Sequence, residues 1–319
     1  MWGWDPLAVV GGDTRIAAMC GIAGLFAKSP GVAEHLGEHL GAMLSALNDR
    51  GPDSAGVAVY RDPVPSGASK VSLFSPDPHY EWGRVRDGLA GAFGGDPEPE
   101  VRASHAVFVV DADAERAEAW LRDRHPELRI MSVGETIEIF KEAGLPSDFV
   151  RRFALEDVQG SHALGHTRMA TESRVTTQHS HPFSTGLDLC LVHNGSLSNH
   201  NRLRRELQRE GVTFQTDNDT EVAAGYLTWR LREGADLREA LEGCLRDLDG
   251  FFTFAVGTAD GFAVLRDPIA CKPALLAETD GWVAMASEYR AIAVLPGAEH
   301  ANVWEPAPAT LYVWERALV

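Results

Sequence analysis

Met19-Cys20-Gly21-Ile22-Ala23-Gly24-Leu25-Phe26 sets a cysteine directly behind a methionine and ahead of an apolar run broken by glycines. Residues 20–27 have the composition of a short buried strand. Removal of Met19 would give Cys20 a thiol and a free α-amine together, a nucleophile and a base on one residue. Nineteen residues precede Cys20. They do not form a secretion signal, because Asp5 and Asp13 interrupt them and the basic Arg15 comes late. Residues 1–19 therefore read either as a propeptide cut before Cys20 or as an upstream extension of a chain that starts at Met19. We favour the second, since no cut-site signature is visible.

Beyond this run, residues 32–48 carry a helical pattern, with Val32, Leu36, Leu40, Met43, Leu44 and Leu47 on one face. Asp49-Arg50-Gly51-Pro52-Asp53 breaks the helix with a turn, and residues 54–60 read as a second strand. Residues 104–142 look like a small unit: a strand from His105 to Val110, a helix from Asp111 to Arg124, a strand from Glu127 to Val133, and a second helix over 134–143. We expect residues 75–160 to form an insertion docked on the main body. Downstream, 200–210, 219–232 and 235–248 are helical, with Asp219 or Thr220 as the N-cap of the second. Residues 251–257 and 261–267 suggest a strand pair, and 282–287 another strand. Short hairpin strands interleaved with helices imply an α+β fold with antiparallel sheets.

The chain has 319 residues, 45% of them hydrophobic, and a formal net charge of −17. That charge disfavours nucleic-acid backbones and anionic lipid, and no apolar stretch reaches membrane-spanning length. Cys20, Cys190, Cys244 and Cys271 form no CxxC pair. We read the last three as buried small hydrophobes, without a disulfide framework, which fits a reducing, cytoplasmic setting. Six histidines crowd residues 162–200 without a tight ligand spacing, so no metal is expected.

Five segments carry candidate chemistry: the Cys20 start, residues 49–56 (DRGPDSAG), residues 165–171 (GHTRMAT), His193-Asn194-Gly195 and Asp219-Thr220-Glu221. Singly they are a turn, a hairpin signal or a helix start. In this order, with Arg266-Asp267-Pro268, Lys272-Pro273 and Ala286-Ser287-Glu288-Tyr289-Arg290-Ala291 behind them, they resemble the class II glutamine amidotransferase domain, an N-terminal-nucleophile (Ntn) hydrolase. The resemblance runs from residue 20 to about 300. Residues 170–173 (ATES), 193–201 (HNGSLSNHN) and 267–273 (DPIACKP) are most similar to the amidotransferase-like subunit of N-methylglutamate synthase (methylamine–glutamate N-methyltransferase), within a glutamate-synthase-like subgroup.

The resemblance implies a four-layer αββα sandwich of two antiparallel sheets. It implies Cys20 as nucleophile, with its α-amine as base, and Asn194 and Gly195 as oxyanion hole. Arg168 would hold the substrate α-carboxylate and Asp219 the α-ammonium. Thr171 and His181 would line the pocket, and Arg50 would order the loop around Cys20. Asp49 stands where the family usually has histidine. The substrate implied is glutamine or another γ-glutamyl amide, attacked through a thioester. No cofactor is expected in this chain; flavin or iron–sulfur chemistry would belong to glutamate-synthase-like partner subunits. Two other readings stay open: a non-catalytic binding or scaffold subunit, and the amidotransferase subunit of a glutamate synthase.

Overall fold

Alternate residues of strand β1 (Gly21–Ala27) face two different apolar layers: Ile22 and Phe26 one way, Ala23 and Leu25 the other. A strand buried on both faces lies inside a sandwich. The computed structural model describes residues 19–169 and 175–316. After β1 come α1 (Pro30–Glu34), α2 (Leu36–Ala46), β2 (Ser54–Tyr60), β3 (Ser69–Phe74), α3 (Trp82–Phe93), β4 (Glu100–Arg102), β5 (His105–Val110), α4 (Ala114–Arg124), β6 (Arg129–Gly134), β7 (Ile137–Ala143), α5 (Pro146–Arg152) and β8 (His162–Arg168). The chain continues through β9 (Phe183–Gly186), β10 (Leu189–Leu197), α6 (His200–Arg209), α7 (Asp219–Arg232), α8 (Leu237–Asp247), β11 (Gly250–Thr258), β12 (Gly261–Arg266), β13 (Leu275–Glu278), β14 (Trp282–Ala286), α9 (Tyr289–Ile292), β15 (Asn302–Trp304) and β16 (Leu311–Glu315).

One sheet runs β15-β13-β14-β1-β8-β2-β7 and a second runs β16-β12-β11-β10-β9, all pairings antiparallel. Between them Ile22, Ala58 and Leu164 of the first sheet meet Cys190, Val192, Phe262 and Val264 of the second. Outside the first sheet, Leu40, Met43 and Leu44 of α2 cover Leu25 and Val57. Outside the second, Val222 and Tyr226 of α7 and Leu241 of α8 cover Leu191 and Phe254. This is the expected αββα sandwich of two antiparallel sheets.

A third sheet, β4-β5-β3-β6, stands apart with α3 and α4 packed on it around Phe108, Leu73 and Leu121. Its strands begin at Ser69 and end at Gly134, so the separate unit has different bounds from the expected 75–160. The stretch over 134–143, read as a helix, is strand β7, and it belongs to the large sheet through full pairing with β2. Alternating Ile137 and Ile139 against Glu138 is a period-two pattern that helix-favouring Glu and Lys obscured. The expected helix over 32–48 divides at His35 into α1 and α2. The N-cap of α7 is Asn218, whose side chain accepts from Thr220 N, rather than Asp219 or Thr220; this leaves the Asp219 carboxylate available to other partners.

Candidate active site

Cys20 stands where β1 begins, and its carbonyl oxygen is held by two side chains from distant parts of the chain. Arg50 Nε donates to it at 2.8 Å, and Asn194 Nδ2 donates to it at 2.8 Å. Arg50 comes from the turn after α2 and also pairs with Glu288 at 2.5 Å. Asn194 lies within β10, so this contact joins the two sheets of the sandwich. The thiol itself is half-buried and faces the Met169 carbonyl at 3.7 Å. Burial pushes the Cys20 thiol up from its ordinary value, while a backbone hydrogen bond at Met169 and the positive fields of Arg168, Lys272 and Arg50 act in the opposite direction.

Arg168 ends β8, beside β1 in the large sheet. Its Nη1 donates to the His179 carbonyl at 2.9 Å. Burial lowers its pKa, and the negative fields of Cys20, Asp53, Asp219 and Asp217 raise it, so these charges share one neighbourhood. Asp219 opens α7. Its Oδ2 accepts from Leu197 N at 2.9 Å, and its Oδ1 lies 3.8 Å from His193 Nδ1. Cys20, Arg50, Arg168, Asn194 and Asp219 thus converge from five separate elements.

Gly195 has φ +146°, and a Cβ there would fall 2.0 Å from the Phe251 carbonyl oxygen. Only glycine lets β10 lie this close to β11 at that point. His181 lies behind the site rather than on Cys20. Its ring lies tilted against that of His166 with centroids 4.0 Å apart, its Nε2 is 3.2 Å from Thr220 Oγ1, and its Nδ1 accepts from His193 N at 3.4 Å. Burial drives the His181 pKa far down and holds His166 at about 3, so both rings are neutral. Among the described residues no three histidine, cysteine or carboxylate groups are arranged to hold a metal. Thr171 lies outside the described residues, as do residues 1–18.

Three residues went unassigned in the sequence reading. Ser287 accepts from Ile22 N at 2.9 Å and from Asn194 Nδ2 at 3.1 Å, bracing β1 and the asparagine together. Glu288 anchors Arg50. Lys272 sends its ammonium within 3.9 Å of Met19 Sδ and 5.2 Å from the Phe251 ring. All three lie in the downstream motifs Lys272-Pro273 and Ala286-Ser287-Glu288-Tyr289-Arg290-Ala291, so the signal was present, without a role attached. Of the three other cysteines, Cys190 and Cys244 are buried as expected, whereas Cys271 is exposed in the turn that leads to Lys272. No helix among the described residues is long and apolar enough to cross a membrane.

The model of the glutamine amidotransferase domain matches residues 166–294. The glutamine amidotransferase-like protein GlxB of Rhizobium meliloti is 55% identical over 93% of this chain and 98% of its own length. An amidophosphoribosyltransferase of Methanocaldococcus jannaschii is 30% identical, over 55% of this chain and 38% of that protein. Among solved structures, glutamine phosphoribosylpyrophosphate amidotransferase from B. subtilis aligns with 93% of this chain and 47% of its own, at TM-score 0.60 and 21% identity. That last likeness speaks for the fold alone. With a relative 55% identical over 98% of its own length, the chain belongs to the class II glutamine amidotransferase family.

Proposed function

We propose that this chain is a glutaminase-type subunit that attacks glutamine, or another γ-glutamyl amide, through Cys20. The observation that carries the reading is the pair of donors on the Cys20 carbonyl, Arg50 Nε and Asn194 Nδ2, each at 2.8 Å. They fix the backbone of the nucleophile and bring Asn194 beside it.

The α-amine of a terminal Cys20 takes the thiol proton, directly or through a water. The sulfur bonds to the amide carbon and the carbonyl becomes an oxyanion. The second N–H of Asn194, now on Ser287 Oγ at 3.1 Å, turns to that oxyanion, with the Gly195 N–H as partner donor. Collapse breaks the carbon–nitrogen bond, and the α-ammonium gives its proton to the leaving ammonia. Water then attacks the thioester, the amine takes the water's proton, and the thiol is restored as glutamate leaves. Arg168 grips the α-carboxylate as a planar fork, and Asp219 pairs with the α-ammonium. The resemblance also gives Thr171 a part in substrate binding, and His181 supports the site from behind through Thr220 Oγ1 at 3.2 Å.

We further propose that the nitrogen is handled within an N-methylglutamate-synthase-like complex, whose glutamate-synthase-like subunits supply flavin or iron–sulfur chemistry. The similarity of residues 170–173, 193–201 and 267–273 to that subgroup supports this. Ammonia release from glutamine, measured for a chain beginning at Cys20 and for one retaining residues 1–19, tests the reading. Release by the first alone is expected; release by neither, with and without partner subunits, would overturn it.

A further inference from the structure

Lys141 is almost fully buried on β7, a strand that contributes nothing to the Cys20 site directly. Its ammonium donates to the Ser180 carbonyl at 2.9 Å and to the Pro182 carbonyl at 3.1 Å, the two carbonyls on either side of His181. It also lies 4.6 Å from the centre of the Phe183 ring. A buried ammonium is costly unless its hydrogens find acceptors, and these two carbonyls with the aromatic face supply them. Burial nevertheless lowers the Lys141 pKa to about 7, against the favourable field of the buried Glu221 carboxylate.

The segment so held reaches the substrate-binding candidates at two points. The His179 carbonyl accepts from Arg168 Nη1 at 2.9 Å. His181 contacts Thr220 Oγ1 at 3.2 Å, one residue from Asp219. The segment passes over β2 at Gly56, where a Cβ would fall 2.1 Å from the His181 carbonyl oxygen and 2.6 Å from Lys141 Cβ. Gly56 therefore leaves the gap through which Lys141 and the 179–182 backbone meet. One ammonium pins the backbone that orients both the Arg168 guanidinium and the start of α7.

We propose that Lys141 is a positioning residue for substrate binding, setting the geometry of Arg168 and Asp219 through residues 179–182. This inference rests on the reading of Cys20, Arg168 and Asp219 as a glutamine site. It differs from a general scaffold role in what it affects: recognition of the amino-acid end of the substrate, and not the reactivity of the thiol.

The experiment compares Cys20 alkylation by two reagents in the full chain. One is a glutamine analogue carrying an electrophile in place of the side-chain amide; the other is iodoacetamide, which has no α-carboxylate or α-ammonium. In Lys141→Met the concentration of analogue giving half-maximal labelling rate is expected to rise about tenfold or more, the scale of one lost charge-assisted hydrogen bond. Iodoacetamide labelling should stay within about twofold, a change worth less than 1 kcal/mol. Lys141→Arg retains a cation and its donors and should keep analogue labelling closer to the wild type. If the methionine variant fails to fold, Lys141→Gln, whose shorter neutral amide cannot reach both carbonyls, should shift the analogue constant alone. Equal loss with both reagents, or no change with either, would overturn the proposal. Failure of the wild-type chain to react with the analogue, while still reacting with iodoacetamide, would overturn the glutamine-site reading and this inference with it.

Discussion

The Asn194 side-chain amide donates to the Cys20 carbonyl across the sandwich, tying β10 in one sheet to the start of β1 in the other. The same nitrogen donates to Ser287, which holds the Ile22 N–H. Asn194→Ala is expected to lower the turnover of glutamine by about 10²–10³-fold, the usual loss for one oxyanion donor, with a smaller change in KM. Steady-state ammonia release checks this; a variant that keeps wild-type turnover would remove Asn194 from the oxyanion hole.

Arg168 is wedged between the His179 carbonyl and the acidic neighbours Asp53, Asp217 and Asp219. Arg168→Lys keeps the charge and loses the planar fork. Its KM for glutamine should rise about tenfold, equivalent to about 1.4 kcal/mol, with turnover less affected. A larger fall in turnover than in affinity would speak against a carboxylate grip.

Gly195→Ala places a side chain at φ +146°, against the Phe251 carbonyl. Strain of this kind costs about 1–3 kcal/mol. A lowered denaturant midpoint together with reduced glutaminase activity is expected. Wild-type stability would mean that β10 and β11 can separate at this point.

His105, His162 and His166 are each held near pKa 3 by burial, against 6.5 for the ordinary ring. The unfolded chain binds more protons between those values, so stability is lost as pH falls from 6.5 toward 3. Each ring contributes a slope of about 1.4 kcal/mol per pH unit. Lys141 is held at about 7 by burial instead of 10.5, so its contribution rises as pH climbs from 7 to 10.5. Denaturant midpoints across pH measure both arms. A flat profile from pH 6.5 to 4 would mean that these rings are hydrated in the folded state.

Much of this arrangement was legible in the residues. Strands β1 and β2 announced themselves as glycine-bounded apolar runs, and α7 as a capped helix. The order of the motifs around Cys20, Arg168, Asn194 and Asp219 pointed to the sandwich. Less visible were contacts made through space. Ser287 and Glu288 were in view as a motif, but nothing local says that they brace Asn194 and Arg50, from 93 and 238 residues away. Strand β7 was misread because its edge-strand charges favour helix in isolation, while pairing with β2 decides its state. Lys141 was hidden for the same reason: its partners, Ser180 and Pro182, belong to a segment that only the fold brings over Gly56.

Acid-quenching the protein during glutamine turnover, followed by peptide mapping by mass, tests the central claim most directly. The account predicts a γ-glutamyl adduct on the peptide that begins with Cys20, absent from Cys20→Ala and discharged when the quench is delayed beyond substrate exhaustion. Ammonia release without an adduct at Cys20, or an adduct on Cys271 in its place, would contradict it.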